Sequence, residues 1–213
     1  AGNIEHPNDH TAPSEPTITF VEDTNPKDGK LNKAENSSDG DNANTTAKIS
    51  IPTDAVVGDV IKYTVNGGAE ESHTITNADK TAGHVEIKVP VTDGQTSSVT
   101  AKIVDQAGNA SKEVSGSIDV DTTAPKVEVE TVTPVDTNNP ADGNPEKGIV
   151  KGHSDEPNAP VVVTDKDGKT IGTGTTDDKG NFEITTDPIK PGDKVNVEVT
   201  DKAGNKGNGE GTA

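Results

Sequence analysis

Ala-Gly-Asn occurs three times in this chain, at Ala1–Asn3, Ala107–Asn109 and Ala203–Asn205. The last two copies follow Asp-x, as Asp105-Gln106 and Asp201-Lys202. A second marker, Asp9-His10-Thr11-Ala12-Pro13, returns as Asp121-Thr122-Thr123-Ala124-Pro125. Self-similarity at a period of roughly a hundred residues means that one folding unit is built more than once. The markers divide the chain into the tail and linker of a preceding repeat (1–14) and two domains, 15–122 and 123–213. The chain reads as a piece of a longer array.

Within each domain the apolar residues come in short alternating or β-branched runs, parted by Gly, Asp, Asn and Pro. The spacing predicts strands over 17–21, 47–51, 60–65, 73–76, 84–91, 98–104 and 113–120. The second domain repeats the series at 126–133, 149–152, 160–165, 170–173, 181–185 and 194–200, with a weak last strand after Asn205. Asp167-Gly168 and Lys179-Gly180 look like hairpin turns. No segment has a helical period. Seven strands in about a hundred residues predict an all-β chain of tandem Ig-like β-sandwich domains. Pro13 and Pro125 make the linkers short and semi-rigid.

The core has few residues to draw on. Hydrophobic residues are 27% of the chain, Phe20, Tyr63 and Phe182 are the only aromatics, and there is no Cys, Met or Trp. Low hydrophobicity with a net charge of −18 is the composition of disorder. The regular alternation argues for folding instead, and bound cations would offset the self-repulsion. The charge argues strongly against nucleic acid and anionic membrane surfaces as partners. No apolar run approaches a membrane span, and the polar start at Ala1 carries no signal-peptide pattern. Without Cys there are no disulfides and no Cys-ligated zinc. An acidic chain rich in Thr, Asp and Gly suits an extracellular bacterial setting, where millimolar Ca²⁺ can do the stapling.

Two acidic signatures supply candidate ligands. The first runs Asp23-Thr24-Asn25-Pro26-Lys27-Asp28-Gly29-Lys30-Leu31-Asn32-Lys33-Ala34-Glu35, the second Asp136-Thr137-Asn138-Asn139-Pro140-Ala141-Asp142-Gly143. Ca²⁺ takes six to eight oxygens, and such loops set carboxylates and amides at short intervals before a Gly where the backbone folds back. The first is close to an EF-hand loop, with its third acidic position displaced by one residue and without flanking helical patterns. It predicts a calcium loop on a β scaffold, with Asp23, Asn25, Asp28 and Glu35 as ligands. The second lacks the Leu-Asn-x-x-Glu tail and has an extra residue before its Asp-Gly. For Asp136, Asn138 and Asp142, calcium ligation and a plain turn both stay open.

The order strand, Asp-x-Ala-Gly-Asn, strand, Asp-x-Thr-Ala-Pro, with Asp-Thr-Asn-x-x-Asp-Gly after the first strand, resembles tandem bacterial Ig-like repeats. These belong to giant RTX-type and biofilm-associated adhesins of Gram-negative bacteria, exported by type I secretion. The resemblance covers essentially the whole chain. It implies extender segments that hold a distal adhesive domain away from the cell, with Ca²⁺ stiffening the domain junctions. Their partners are the neighbouring repeats, and a monomer at the cell surface or secreted is expected.

The strand order of such a sandwich sorts the remaining acids. Asp54 and Asp105 in the first domain, and Asp155, Glu156 and Asp201 in the second, lie in loops at the N-terminal poles. Asp9, Asp119 and Asp121 fall on the linkers. Asp9, Asp54 and Asp105 form one candidate calcium cluster, and Asp119, Asp121, Asp155, Glu156 and Asp201 another. Such like-charge clusters are costly unless a cation fills them. For Asp105 and Asp201 the competing reading is an Asx-turn. A module contacting a host or matrix glycan or protein is the alternative function, though it lacks an aromatic platform. An enzyme is not expected: there is no Cys and no nucleophile elbow.

Overall fold

The β-branched runs become strands in the computed structural model, which describes residues 10–213. Contacts divide the chain into a first unit that ends at Thr122 and a second, Thr123–Ala213. The first contains β1 (Ile18–Phe20), β2 (Lys30–Leu31), α1 (Lys33–Asn36), β3 (Asn44–Ser50), β4 (Val60–Val65), β5 (Glu71–Thr74), α2 (Asn77–Ala82), β6 (His84–Pro90), β7 (Thr96–Val104) and β8 (Val114–Val120). The second contains β9 (Val127–Val135), β10 (Lys147–Ser154), β11 (Pro160–Asp165), β12 (Thr170–Thr175), β13 (Asn181–Thr186), β14 (Lys194–Thr200) and β15 (Lys206–Thr212).

Each unit is a two-sheet sandwich of Ig-like strand order. In the first, β1-β3-β6 face β2-β8-β7-β4-β5; in the second, β9-β10-β13 face β12-β11-β14-β15. All pairings are antiparallel except that of β2 with β8. Alternate residues of the facing strands point inward, which lets a chain with so few apolar residues fill two cores. Ile49, Ile61, Val89, Val99 and Ile103 fill the first; Val150, Val161, Val163, Ile184 and Val197 fill the second. The aromatics serve these cores: Phe182 is buried, and Phe20 and Tyr63 pack against the first.

Two short helices were not expected. They have only four and six residues, too few to show a period, and their caps define them. Asn32 and Glu35 form a capping box on α1, and Thr76 and Asp79 one on α2.

The glycines of β15 reflect close packing on β9. A Cβ at Gly207 would overlap the Pro125 carbonyl oxygen, and one at Gly209 would come within 2.8 Å of the Val127 oxygen. Alternate Gly residues let the two backbones approach where an ordinary strand would present side chains.

Candidate metal centres

The first acidic loop is organised by its own backbone N–H groups. Asp23 accepts from Asp28 N at 3.1 Å and Gly29 N at 2.9 Å. Asp28 Oδ1 accepts from Lys30 N at 3.0 Å. Glu35 is 3% exposed and ties the loop's ends together. Its Oε2 accepts from Thr24 N at 2.8 Å and Asn25 N at 2.7 Å, its Oε1 from Asn32 N at 2.9 Å. Asp23, Asp28 and Glu35 each place one carboxylate oxygen within 4.8 Å of the others'. Asn25 takes part through its backbone, whose carbonyl accepts from Asn32 Nδ2 at 2.8 Å.

The second loop repeats this plan with a glutamate that the sequence reading missed. Asp136 accepts from Asn138 N at 3.2 Å and Gly143 N at 2.7 Å; Asp142 Oδ1 accepts from Asn144 N at 2.9 Å. Glu146 Oε1 accepts from Thr137 N at 2.7 Å and Asn138 N at 3.1 Å, as Glu35 does from Thr24 and Asn25. Asp136, Asp142 and Glu146 also bring ligand oxygens within 4.8 Å of one another. Asn138 Nδ2 donates to Asp142 Oδ2 at 2.6 Å. Glu146 follows its Asp-Gly more closely than Glu35 does, so a search at fixed spacing passes over it. Both loops hold a cis X-Pro bond, Asn25-Pro26 and Asn139-Pro140.

Desolvation pushes the Asp136 carboxyl upward, but hydrogen bonds donated by the Gly143 and Asn138 N–H groups help hold it below the ordinary value. Asp59 moves the other way. It is 2% exposed, and burial raises it despite the Val56 N–H; neighbouring Asp105 and Asp54 raise it further. The charges of Asp54 and Asp105 thus both act on Asp59, a buried acid that the sequence reading did not select.

The Asp-x-Ala-Gly-Asn acids close hairpin loops. Asp105 Oδ1 accepts from Ala107 N at 3.0 Å and Asn109 N at 2.8 Å; Asp201 Oδ1 accepts from Ala203 N and Asn205 N at the same distances. Asp165 and Asp177 do likewise, in Asp-Lys-Asp-Gly-Lys and Asp-Asp-Lys-Gly-Asn. Asp54 accepts from Ser14 N, and Asp155 from Lys126 N. Glu156 and Asp201 line one shallow depression with Asn158 and Lys202. Asp119 does not lie on the linker, where the ligand reading put it, but within the strand predicted over 113–120. It belongs to β8, where its carboxylate accepts from Thr96 Oγ1 at 2.7 Å. Asp121 follows β8 and donates its N–H to Leu31 O at 2.9 Å. Asp9 lies outside the described residues.

No helix among the described residues is long and apolar enough to cross a membrane. Strand order, sheet pairing and core make the chain a tandem of Ig-like β-sandwiches. Residues 131–211, within the second unit, match the model of the bacterial Ig domain family. Among solved structures, the chain is similar to the fibronectin(III)-like modules of Clostridium thermocellum CbhA, at 14% identity and a TM-score of 0.51 over 91% of each chain. A structure from a 1.5-MDa bacterial ice-binding adhesin, studied for its host cell surface retention, aligns at 21% identity and a TM-score of 0.45, over 95% of this chain and 64% of the solved chain. A structure of the BSP domain of a biofilm associated protein aligns at 16% identity and a TM-score of 0.29, over 80% of this chain and 27% of the solved chain. No curated protein matches the chain.

Proposed function

We propose that this chain is a calcium-binding structural segment of a bacterial surface adhesin, an extender that holds a distal adhesive domain away from the cell. The observation that carries the reading is the pair of loops in which Asp23, Asp28 and Glu35, and Asp136, Asp142 and Glu146, converge. Three carboxylates without His or Cys suit a hard oxygen-seeking cation such as Ca²⁺ and do not suit zinc. Bound there, the cation would neutralise like charges and stabilise the sandwich over the unfolded chain. The chain's own residues do the rest: backbone N–H groups hold each carboxylate in place, so little ordering remains when an ion arrives.

The extender role is supported by the bacterial Ig domain match, by two units of one architecture, and by the net charge of −18. A cell-surface or secreted setting, with neighbouring repeats as partners, follows from the same reading. Calorimetric titration of Ca²⁺ into EDTA-stripped protein tests it. Saturable binding that falls by one site in Glu35→Ala and by another in Glu146→Ala is the expected result. An absence of binding heat at millimolar Ca²⁺, with no shift in melting, overturns it.

A further inference from the structure

We propose that the loop Asp23–Glu35 is a latch for the segment leaving the first unit, with Leu31 and Glu35 as its positioning residues. The end of β8 is gripped from two sides. On one, β2 pairs with it in parallel: Asp119 N donates to Gly29 O at 3.0 Å and Asp121 N to Leu31 O at 2.9 Å. On the other, the turn between β6 and β7 takes it. Gly94 N donates to Val120 O at 2.8 Å, Val120 N to Gln95 O at 2.8 Å, and Thr122 N to Asp93 Oδ1 at 2.8 Å. Every backbone N–H from Asp119 to Thr122 is thereby bonded to one side or the other.

A two-residue strand cannot hold its place alone; something must fix β2. Leu31 is the only leucine in the chain, and it is 0% exposed. Glu35 draws Thr24, Asn25 and Asn32 onto one buried carboxylate, which closes the loop behind Leu31. The second loop has the same three acids but no Leu-Asn-x-x-Glu tail, and among the described residues none of it pairs with β15. There the last strand pairs with β14 on one side only, and its end is bonded to the preceding turn, Gly192 N to Ala213 O at 3.0 Å and Ala213 N to Asp193 O at 2.8 Å. The tail is thus what adds β2, and it ties the order of the acidic loop to the order of the exit strand. These bonds are within the protein, so the latch stands apart from the calcium reading.

Native-state hydrogen exchange by NMR, on the whole chain in EDTA with rising sub-denaturing urea, tests it. Amides of Thr24, Asn25, Asp119 and Asp121 should lose protection in one step, below global unfolding. Glu35→Ala should speed exchange at Asp119 and Asp121 by about tenfold or more, while Glu146→Ala leaves them unchanged. Should Glu35→Ala fail to fold, the wild-type urea series decides by itself. Asp119 and Asp121 staying protected after Thr24 and Asn25 have opened overturns the latch. Because calcium is absent throughout, failure of metal binding leaves this result untouched.

Discussion

The Asp155 carboxylate accepts the backbone N–H of Lys126 at 2.9 Å. Asp54 treats Ser14 in the same way, at 3.1 and 3.3 Å, and also accepts its hydroxyl at 2.8 Å. In both units the donor is the first N–H after Ala-Pro, because proline has none to offer. A residue picked out as a cation ligand is therefore also the cap that fixes where the incoming chain meets its sandwich.

Asp155→Ala should lower the stability of the second unit by about 0.5–1.5 kcal/mol, the usual net worth of one hydrogen bond. Urea unfolding of the whole chain measures it. Asp155→Asn keeps an acceptor oxygen and should recover most of the loss. Recovery only when the negative charge is restored would make Asp155 an electrostatic or metal-binding residue rather than a cap.

Calcium should raise the melting temperature. An ion that binds only the folded state adds RT ln(1 + [L]/Kd), about 2.7 kcal/mol per site at a hundredfold excess. Paired melts in EDTA and in millimolar Ca²⁺ should differ by several degrees, and the protein should resist protease better with calcium. Superimposable melts count against both sites.

Leu31→Ala should cost the first unit about 2–5 kcal/mol, the range for emptying a buried leucine site. A drop of less than 1 kcal/mol in urea unfolding would mean that the loop collapses onto the void and Leu31 anchors little.

Gly209→Val should destabilise the second unit by about 1–3 kcal/mol or more. The new Cβ meets the Val127 carbonyl at 2.8 Å, and backbone cannot step aside as a side chain can. Gly168→Val, in a hairpin turn with open space around it but φ +82, is the contrasting case: strain without a clash. Comparing the two urea midpoints separates the effects.

His153 should confer pH-dependent stability. Its Nδ1 meets Glu130 at 2.7 Å and its Nε2 meets Glu128 at 3.5 Å. The Glu130 hydrogen bond raises its pKa; desolvation opposes this, and the charges of Glu128 and Glu130 add to the rise. A folded pKa above the unfolded one favours the folded state while the ring is protonated. The contribution is full below the unfolded value, about 6.5, and fades as pH climbs through the folded value. NMR titration of the ring protons should show the raised pKa in wild type and a fall in Glu130→Gln; an unchanged pKa there would assign the shift elsewhere.

The sandwich was legible because strand alternation is a local property: Thr45, Ala47 and Ile49 of β3 point inward whatever they pack against. The helices were not, since α1 and α2 depend on a cap three residues away rather than on a period. The first loop was legible through the spacing of Asp23, Asp28 and Glu35. Glu146 was missed because its separation from Asp142 differs from that of Glu35 from Asp28, and a folded chain needs convergence in space, not equal spacing.

The amino-acid order by itself determined the repeat, the all-β class, the boundary markers and the acidic surplus, because each is written in composition or in short-range pattern. Tertiary structure alone decided which acids meet and what their oxygens already hold. It buried Asp59 where the charges of Asp54 and Asp105 act on it, and it made Asp105 and Asp201 the closures of hairpin loops. It also brought Leu31 to Asp121, ninety residues on, by a pairing of backbone atoms. A backbone hydrogen bond carries no residue identity, so only the assembled sheet could select its partner.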